Sequence, residues 1–300
     1  MKYPILHLDL NIEKYDTPDS LDNILDKSLT AWEKLYGAEP SERSFSLRFA
    51  GIIERACKQA GQRVVILVDE YDKPMLQAIG NEELQRQFRN ALKPFYGALK
   101  TMDGCIKFAF LTGVTKFGKV SVFSDLNNLD DISMRKDYVE LCGVSDRELH
   151  DTLDAELHEF ADVRGVTYDK LCAELKECYD GYHFTHNSIG MYNPFSLLNA
   201  FKYKEFGSYW FETGTPTYLV SLLKKHHYDL ERMAHEETDA QVLNSIDSES
   251  TNPIPVIYQS GYLTIKGYDE EFGIYRLGFP NREVEEGFVR FYASLLCERK

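Results

Sequence analysis

The chain has 300 residues, of which 43% are hydrophobic and 27% are charged, and this balance excludes an intrinsically disordered polypeptide. The formal net charge of −14 disfavours direct binding to nucleic acid, because such a surface repels phosphates. No apolar run approaches the length of a membrane span and the N-terminal segment is not a signal peptide, so we expect a cytoplasmic protein with no membrane partner.

The first half of the chain predicts alternating strands and helices. Strands are predicted at "YPILHLDL", at "VVILV" (64–68) and at "IKFAFL" (106–111). The last two are unbroken apolar runs, so we expect them to be buried strands. Helices are predicted over 41–60 and from Asn81 onward, the second kinked or divided at Pro94. Two strands joined by a helix form a parallel crossover unit, which predicts an α/β fold.

The pattern becomes mainly helical after about residue 140. Ser145 and Glu148 form a capping box, and a hairpin is predicted at about 257–279. Asn281 caps a last amphipathic helix. Further helices are predicted over 168–179, 194–205 and 216–226. The predicted domains are therefore 1–138, an α/β part, and 139–300, a helical part with a late hairpin.

A phosphate-binding loop is suggested by the spacing G-x-x-x-x-G-K from Gly113 to Lys119. Such a loop needs Ser or Thr directly after the Lys to hold Mg²⁺, but this chain has Val120 there and Ser121 one position late. It must also open a helix, and the sequence that follows has no helical period. We therefore interpret the match as a coincidence of spacing.

The stretch "VVILVDEYDKP" (64–74) carries a stronger signal, because an apolar strand that ends in Asp-Glu has the form of a Walker B element. The strand delivers Asp69 to the carboxyl edge of the sheet, where open α/β sheets bind ligands. Asp69 could hold Mg²⁺ through water, and Glu70 could act as the general base toward the attacking water. The alternative is that Asp69 and Glu70 only solvate the exit of the strand.

The next strand also ends in polar residues. Thr112, Thr115 and Lys116 follow the apolar run at 106–111, in the place where ATPases carry a residue that senses the γ-phosphate. These three residues are the sensor candidates. The alternative for Thr112 is a hydroxyl bonded to the local backbone.

Several stretches resemble the predicted AAA-ATPase-like family of Bacteroides and Clostridia. They occur in the order of that family and span nearly the whole chain: "YPILHLDL", "VVILVDEYDKP", "FAFLTGVTKFGKVSVFSDLNNLDDIS", "YVELCGVSDREL", "ECYDGYHF", "YNPFSLLNAF", "YWFETGTPTYLV" and "GFPNREVEEGF". The resemblance implies a P-loop NTPase core of the ASCE/AAA-like type, followed by a helical, winged-helix-like region and, in most members, a PD-(D/E)XK nuclease-like domain. It also implies ATP and Mg²⁺ as cofactors.

The chain departs from that family at both ends. The Walker A segment of the family, R-R-F-G-K-S, precedes the strand that "YPILHLDL" matches, and the nuclease-like domain follows "PNREV". We therefore expect an incomplete ATPase core, truncated before Walker A and before the nuclease domain, with no phosphate-binding lysine of its own. The predicted function is the ATP-binding and ATP-hydrolysing module of a nuclease-associated ATPase, inactive in this form.

Other functions remain open from sequence. The main alternative is a non-catalytic interaction module with a degenerate ATPase fold, favoured by the Tyr- and Phe-rich second half, since Tyr is enriched at interfaces. A winged-helix DNA binder conflicts with the acidic turn "GYDEEFG" of the hairpin. A zinc site at His183 and His186 lacks the three or four organised ligands that zinc requires.

Overall fold

The computed structural model describes residues 2–116, 122–123, 126–213, 235–243 and 252–297. These residues form two units, one within 2–130 and the other within 131–297. The domain boundary predicted between residues 138 and 139 stays a prediction. Within the described ranges, no helix is both long and apolar enough to cross a bilayer.

The first unit is built on a parallel sheet. Its three strands lie in the order β1-β2-β3, and the register pairs Leu8 with Val68 and Val68 with Leu111. The predicted strands and the parallel crossover between β2 and β3 are confirmed. The elements are β1 (Ile5–Asp9), α1 (Pro18–Tyr36), α2 (Phe45–Ala60), β2 (Val64–Asp69), α3 (Lys73–Gln77), α4 (Glu82–Thr101) and β3 (Ile106–Leu111).

One face of this sheet is more deeply buried than the other. Successive side chains of a strand point to opposite faces, and burial alternates accordingly: Leu8 and Ile66 are each 1% exposed, whereas Ile5 is 57% exposed. The prediction of a buried strand at 106–111 is wrong, because β3 is paired on one side only among the described residues and its Phe108 is 53% exposed. An apolar run alone does not reveal whether a strand is covered on both faces.

Side chains at the helix ends explain where the helices of the first unit begin and end. The helix predicted from residue 41 begins only at Phe45, because the hydroxyl of Ser44 accepts the N–H of Leu47 at 3.3 Å. It ends at Ala60 and is followed by Gly61, whose φ of 59° is left-handed. The helix α4 runs through Pro94 as one element, so Pro94 does not divide it, and the alternative of a kink there stays a prediction.

Aromatic side chains hold the three long helices of this unit together. Phe49 of α2 stacks on Phe95 of α4 with ring centroids 4.5 Å apart, and on Trp32 of α1 at 5.8 Å. Phe49 and Phe95 are each 1% exposed. This stack is therefore central to the core that supports the sheet.

The second unit is mainly helical with two small antiparallel sheets, β4-β5 and β6-β8-β7. The predicted capping box is confirmed, since Ser145 and Glu148 accept each other's backbone N–H at 2.9 and 3.2 Å. The helix predicted over 216–226 lies outside the described residues. The elements are β4 (Val144–Ser145), α5 (Asp146–Thr152), α6 (Asp154–Arg164), α7 (Tyr168–Tyr179), β5 (Met191–Tyr192), α8 (Pro194–Tyr203), α9 (Tyr209–Glu212), β6 (Glu237–Asp239), α10 (Ala240–Leu243), α11 (Ile254–Gln259), β7 (Thr264–Asp269), β8 (Ile274–Gly278) and α12 (Arg282–Cys297).

Two further predicted features of the second unit are observed. The strands β7 and β8 pair antiparallel within the segment predicted as a hairpin, with Tyr268 opposite Tyr275. The side chain of Asn281 accepts the N–H of Val284 at 3.1 Å at the start of α12, as predicted for a cap.

A buried carboxylate in the second unit makes its stability depend on pH. Asp180 is 7% exposed, its Oδ1 atom has no hydrogen-bond partner, and Oδ2 lies 3.9 Å from the Nζ atom of Lys176. Burial raises the pKa of Asp180 above its ordinary value of 3.8. The folded protein therefore binds this proton more tightly than the unfolded chain does. Stability is therefore lost as the pH rises from the ordinary pKa of an Asp side chain through the raised pKa of Asp180 in the folded protein.

We expect Asp180→Asn to stabilise the second unit at pH 7, by on the order of 1 kcal/mol, and to flatten the fall of stability above pH 4. The chain has two Trp residues, Trp32 in the first unit and Trp210 in the second. In a Trp32→Phe background, urea unfolding followed by Trp210 fluorescence at several pH values therefore reports on the second unit. Asp151→Asn, an exposed position on α5, is the control. An unchanged pH slope in Asp180→Asn would contradict the prediction.

Candidate functional site

Polar residues meet where the parallel strands of the first unit end. Asp9 at the end of β1 is in register with Asp69 at the end of β2. The backbone N–H of Thr112, just after β3, donates to the carbonyl of Val68 at 2.9 Å and so continues the ladder by one residue. Three strand ends therefore place their polar residues along one edge of the sheet.

The sequence-predicted residues Asp69 and Thr112 are in direct contact at this edge. The hydroxyl of Thr112 donates to Oδ1 of Asp69 at 2.5 Å. Asp69 itself is exposed, so its second carboxylate oxygen can face a ligand. This hydrogen bond links the end of β2 to the end of β3. Both side chains belong to the site predicted from sequence.

Glu70 follows Asp69 at the turn that leaves β2. Its backbone φ of 56° lies in the left-handed region, which non-glycine residues rarely adopt, and its carbonyl accepts the N–H of Lys73 at 3.0 Å. Burial, and then the charges of Asp72 and Asp69, raise the pKa of Glu70, while Lys73 opposes the rise. A half-buried carboxylate with a raised pKa is suited to accept a proton near neutral pH.

Asp72 is a site residue that the sequence analysis missed. It is fully buried at 0% exposure, and its carboxylate accepts the backbone N–H of Val114 at 3.2 Å. It also accepts the N–H and the hydroxyl of Thr115, at 2.5 and 2.6 Å. The signal in the sequence was the third acidic residue of "DEYDKP", but nothing local shows that this side chain turns inward.

The other two sensor candidates occupy different environments. Thr115 is 2% exposed, and both of its donors are directed to Asp72. Lys116 is half-buried directly after it. The rest of the G-x-x-x-x-G-K spacing, with Lys119, Val120 and Ser121, lies outside the described residues. Of the sensor candidates, Thr112 is the one in hydrogen-bond contact with Asp69.

The carboxylates at this edge of the sheet are suited to bind a Mg²⁺ ion that is also coordinated by the phosphates of a substrate. In the described part of the chain, no group of three or more His, Cys, Asp or Glu side chains is placed to hold a metal by itself. Mg²⁺ usually keeps several waters and is bound by one or two carboxylates together with substrate phosphates. Asp69 supplies one exposed carboxylate and Asp9, its neighbour in register, a second, although one Asp9 oxygen accepts the N–H of Asn11 at 2.7 Å.

The histidine pair of the second unit takes part in packing. A ring nitrogen of His183 lies 2.9 Å from the carbonyl oxygen of Ser188. The ring of His186 stacks on Tyr268 with centroids 4.6 Å apart. Both rings are therefore engaged with neighbouring protein groups.

Comparisons with known proteins relate the chain to a family of predicted ATPases. A family model described as "Predicted AAA-ATPase" matches residues 1–123, which include the three strand ends of the site. An uncharacterized protein in the vnfD 5′ region of Azotobacter chroococcum mcd 1 is 36% identical over 287 residues. That match covers 95% of this chain and 53% of the relative, so the chain spans about half the length of the relative. No solved structure matches the chain. Over its first 123 residues, the chain is similar to the AAA-ATPase-like family, which is described as predicted AAA-ATPases.

Proposed function

We propose that the first unit is the ATP-binding and ATP-hydrolysing module of an AAA-like ATPase of the P-loop NTPase type. The observation that carries the proposal is the hydrogen bond between Thr112 and Asp69 at the carboxyl edge of the parallel sheet. It joins a strand that ends in Asp-Glu to a neighbouring strand that ends in a hydroxyl residue. The family match over residues 1–123 supports the same function.

Asp69 is the proposed residue that holds Mg²⁺, through water. When bound, Mg²⁺ neutralises charge on the transferred phosphoryl group. Asp69 suits this role because it is exposed at the end of a rigid strand. The hydroxyl of Thr112 occupies one of its oxygens and orients the carboxylate, which leaves the other oxygen for the water shell of the ion.

Glu70 is the proposed general base, which takes a proton from the water that attacks the γ-phosphate. Glu70 directly follows Asp69 in the turn, with φ at 56°. Its raised pKa supports the assignment, because a stronger base holds the abstracted proton better at neutral pH.

Thr112 is the proposed γ-phosphate sensor. It is half-buried at the edge and already in contact with Asp69, so a phosphate group near that carboxylate would lie within reach of its hydroxyl. Lys116 remains a second candidate. Thr115 is a weaker one, since it is only 2% exposed and its hydroxyl donates to the fully buried Asp72.

A phosphate-binding lysine completes such a site, and residues 1–300 contain no R-R-F-G-K-S segment. Without a phosphate loop the phosphates lose their main charge-assisted contacts. We therefore propose that residues 1–300 alone do not hydrolyse ATP and that the activity belongs to the natural polypeptide that contains them. Association with a nuclease-like domain, a winged-helix-like second unit and a cytoplasmic location are parts of the same proposal.

Mg²⁺-dependent ATP hydrolysis by the natural polypeptide tests the function. We expect Asp69→Asn to lower the rate about 10²- to 10³-fold, since a charged stabiliser of the transition state is removed. Asp22→Asn, an exposed position on α1, should retain the wild-type rate. Equal rates for Asp69→Asn and the wild type, or no hydrolysis by the wild type, would refute the proposal.

A second candidate function is a non-catalytic interaction module. The exposed apolar side chains on one sheet face favour it, in particular Ile5 at 57% and Phe108 at 53% exposure. The same hydrolysis measurement separates the two functions, because a module of this kind has no Mg²⁺-dependent turnover for Asp69→Asn to abolish.

A further inference from the structure

A buried carboxylate needs compensating hydrogen bonds, and those of Asp72 come from one loop. The side chain is 0% exposed, and its two oxygens accept three donors from Val114 and Thr115. An ionised group in such a place is tolerated only when it is well paired or hydrogen-bonded. Asp72 therefore joins the turn after β2 to the loop after β3, across more than 40 positions of sequence.

Neighbouring contacts tighten the same junction. The backbone N–H of Tyr71 donates to the carbonyl of Thr112 at 2.9 Å, and the Tyr71 hydroxyl donates to the carbonyl of Thr115 at 2.7 Å. A Cβ atom added to Gly113 would lie 2.3 Å from Oδ1 of Asp72 and 2.9 Å from the Tyr71 ring. The loop thus approaches the turn as closely as a residue without a side chain permits.

The position of this junction connects it to the proposed site. Asp72 lies three residues after Asp69, and its partner Thr115 lies three residues after Thr112. The two segments are thus joined at both ends, by Asp69 and Thr112 at the sheet edge and by Asp72 and Thr115 deeper in the protein. Loss of the inner contact would loosen the segment after Thr112, which would then be held by its bonds to Val68 and Tyr71.

We propose that Asp72 is a positioning residue that holds the Thr112–Thr115 loop in place, so that Thr112 and Asp69 keep the spacing that phosphoryl transfer requires. The inference rests on the proposed ATPase function and assigns a role to a residue outside the predicted site. It also assigns the Thr115 hydroxyl to this contact in place of phosphate sensing. Because Asp72 is fully buried, it acts through the loop and not by touching the nucleotide.

A positioning role predicts a specific kinetic effect. Misplacement of a catalytic group by about 1 Å can cost about 100-fold in rate, whereas nucleotide affinity depends mainly on contacts elsewhere. We expect Asp72→Asn to lower kcat for ATP hydrolysis by the natural polypeptide about 10- to 100-fold, with KM changed less than about threefold. The amide would present an N–H group to donors that now face a carboxylate oxygen.

Three further variants test the contact without removing the charge. Thr115→Val deletes the hydroxyl donor at nearly constant volume, and Thr115→Ser retains it. Gly113→Ala pushes the loop away from Asp72. We expect Thr115→Val and Gly113→Ala to share the kcat defect, and Thr115→Ser to recover most of the wild-type kcat.

Hydrogen exchange supplies a readout that does not depend on activity. At least one of the amides of Val114 and Thr115 should exchange about tenfold faster in Asp72→Asn, because Asn keeps only one of the two acceptor oxygens that these amides use. Glu283→Gln is a matched control, since Glu283 is 5% exposed and accepts the N–H groups of Trp210 and Phe211 in the second unit. It should leave kcat and both loop amides unchanged.

The outcomes separate this inference from the proposed function. An unchanged kcat in both Asp72→Asn and Thr115→Val, with an active wild type, would overturn the positioning role and leave the ATPase assignment intact. Unchanged exchange at Val114 and Thr115 in Asp72→Asn would also overturn it. An inactive wild type would refute the proposed function, and the positioning role with it, even if the exchange result showed that the contact exists.

Discussion

Replacing Glu70 with Gln in the natural polypeptide is expected to leave ATP binding intact and to slow ATP hydrolysis at least about 100-fold. Gln has nearly the shape of Glu but cannot accept the proton of the attacking water. The nucleotide keeps its other contacts, so affinity should change little. The substitution slows the chemical step, because the loss of a general base lowers the rate about 10²- to 10⁴-fold.

The backbone geometry makes this substitution a clean test. Glu70 has a left-handed φ of 56°, and Gln should adopt it at a similar cost, so the turn after β2 should keep its shape. Nucleotide affinity is measured by equilibrium binding, and turnover by phosphate release. Glu39→Gln, at an exposed position of the first unit, controls for the loss of one negative charge. Hydrolysis at the wild-type rate in Glu70→Gln would exclude Glu70 as the base.

The sequence predicts the parallel sheet and its polar edge for a physical reason. Runs such as "VVILVDE" combine a strand-forming apolar segment with charges that cannot enter a core, so the strand must end where Asp69 begins to be exposed. Because parallel strands point the same way, their polar ends meet at one edge. That logic predicts that the polar ends of neighbouring strands lie close together, whereas the hydrogen bond between Asp69 and Thr112 is known only from the structure.

The role of Asp72 could not be predicted in the same way. Its three hydrogen-bond donors come from Val114 and Thr115, which lie more than 40 positions away. Whether an acidic residue near a strand end faces water or the protein interior depends on such distant partners. The difference between Glu70, half-buried, and Asp72, fully buried, is therefore a property of the fold and not of the local pattern.

The helix α1 was not predicted either, but here the reason is not a distant contact. Its sequence carries a recognisable start, since Pro18 stands at the first helical position, and Leu21, Leu25 and Leu29 recur at a spacing of four. These local signals are sufficient to indicate a helix. The exposure of β3, in contrast, depends on which elements cover the sheet, and a pattern within "IKFAFL" holds no information on that.

The aromatic stack of the first unit gives the largest stability effect that we expect. Phe49→Ala should destabilise this unit by about 3–5 kcal/mol, the usual cost of deleting a buried Phe side chain. Phe49 is 1% exposed and contacts Phe95 and Trp32 on two other helices, so its removal leaves a cavity that three helices cannot easily close. In a Trp210→Phe background, Trp32 fluorescence reports unfolding of this unit alone, in urea.

Two control variants show whether the loss arises from packing. Leu47→Ala lies on the same helix at 53% exposure and should change the free energy of unfolding by less than about 0.5 kcal/mol. Phe49→Leu keeps most of the apolar volume and should lose less than half as much as Phe49→Ala. Since α2 also contacts β2, the strand that ends at Asp69, loosening the stack should make the Thr112 amide exchange faster. A loss below about 1 kcal/mol in Phe49→Ala would show that this stack is not the core on which the candidate site rests.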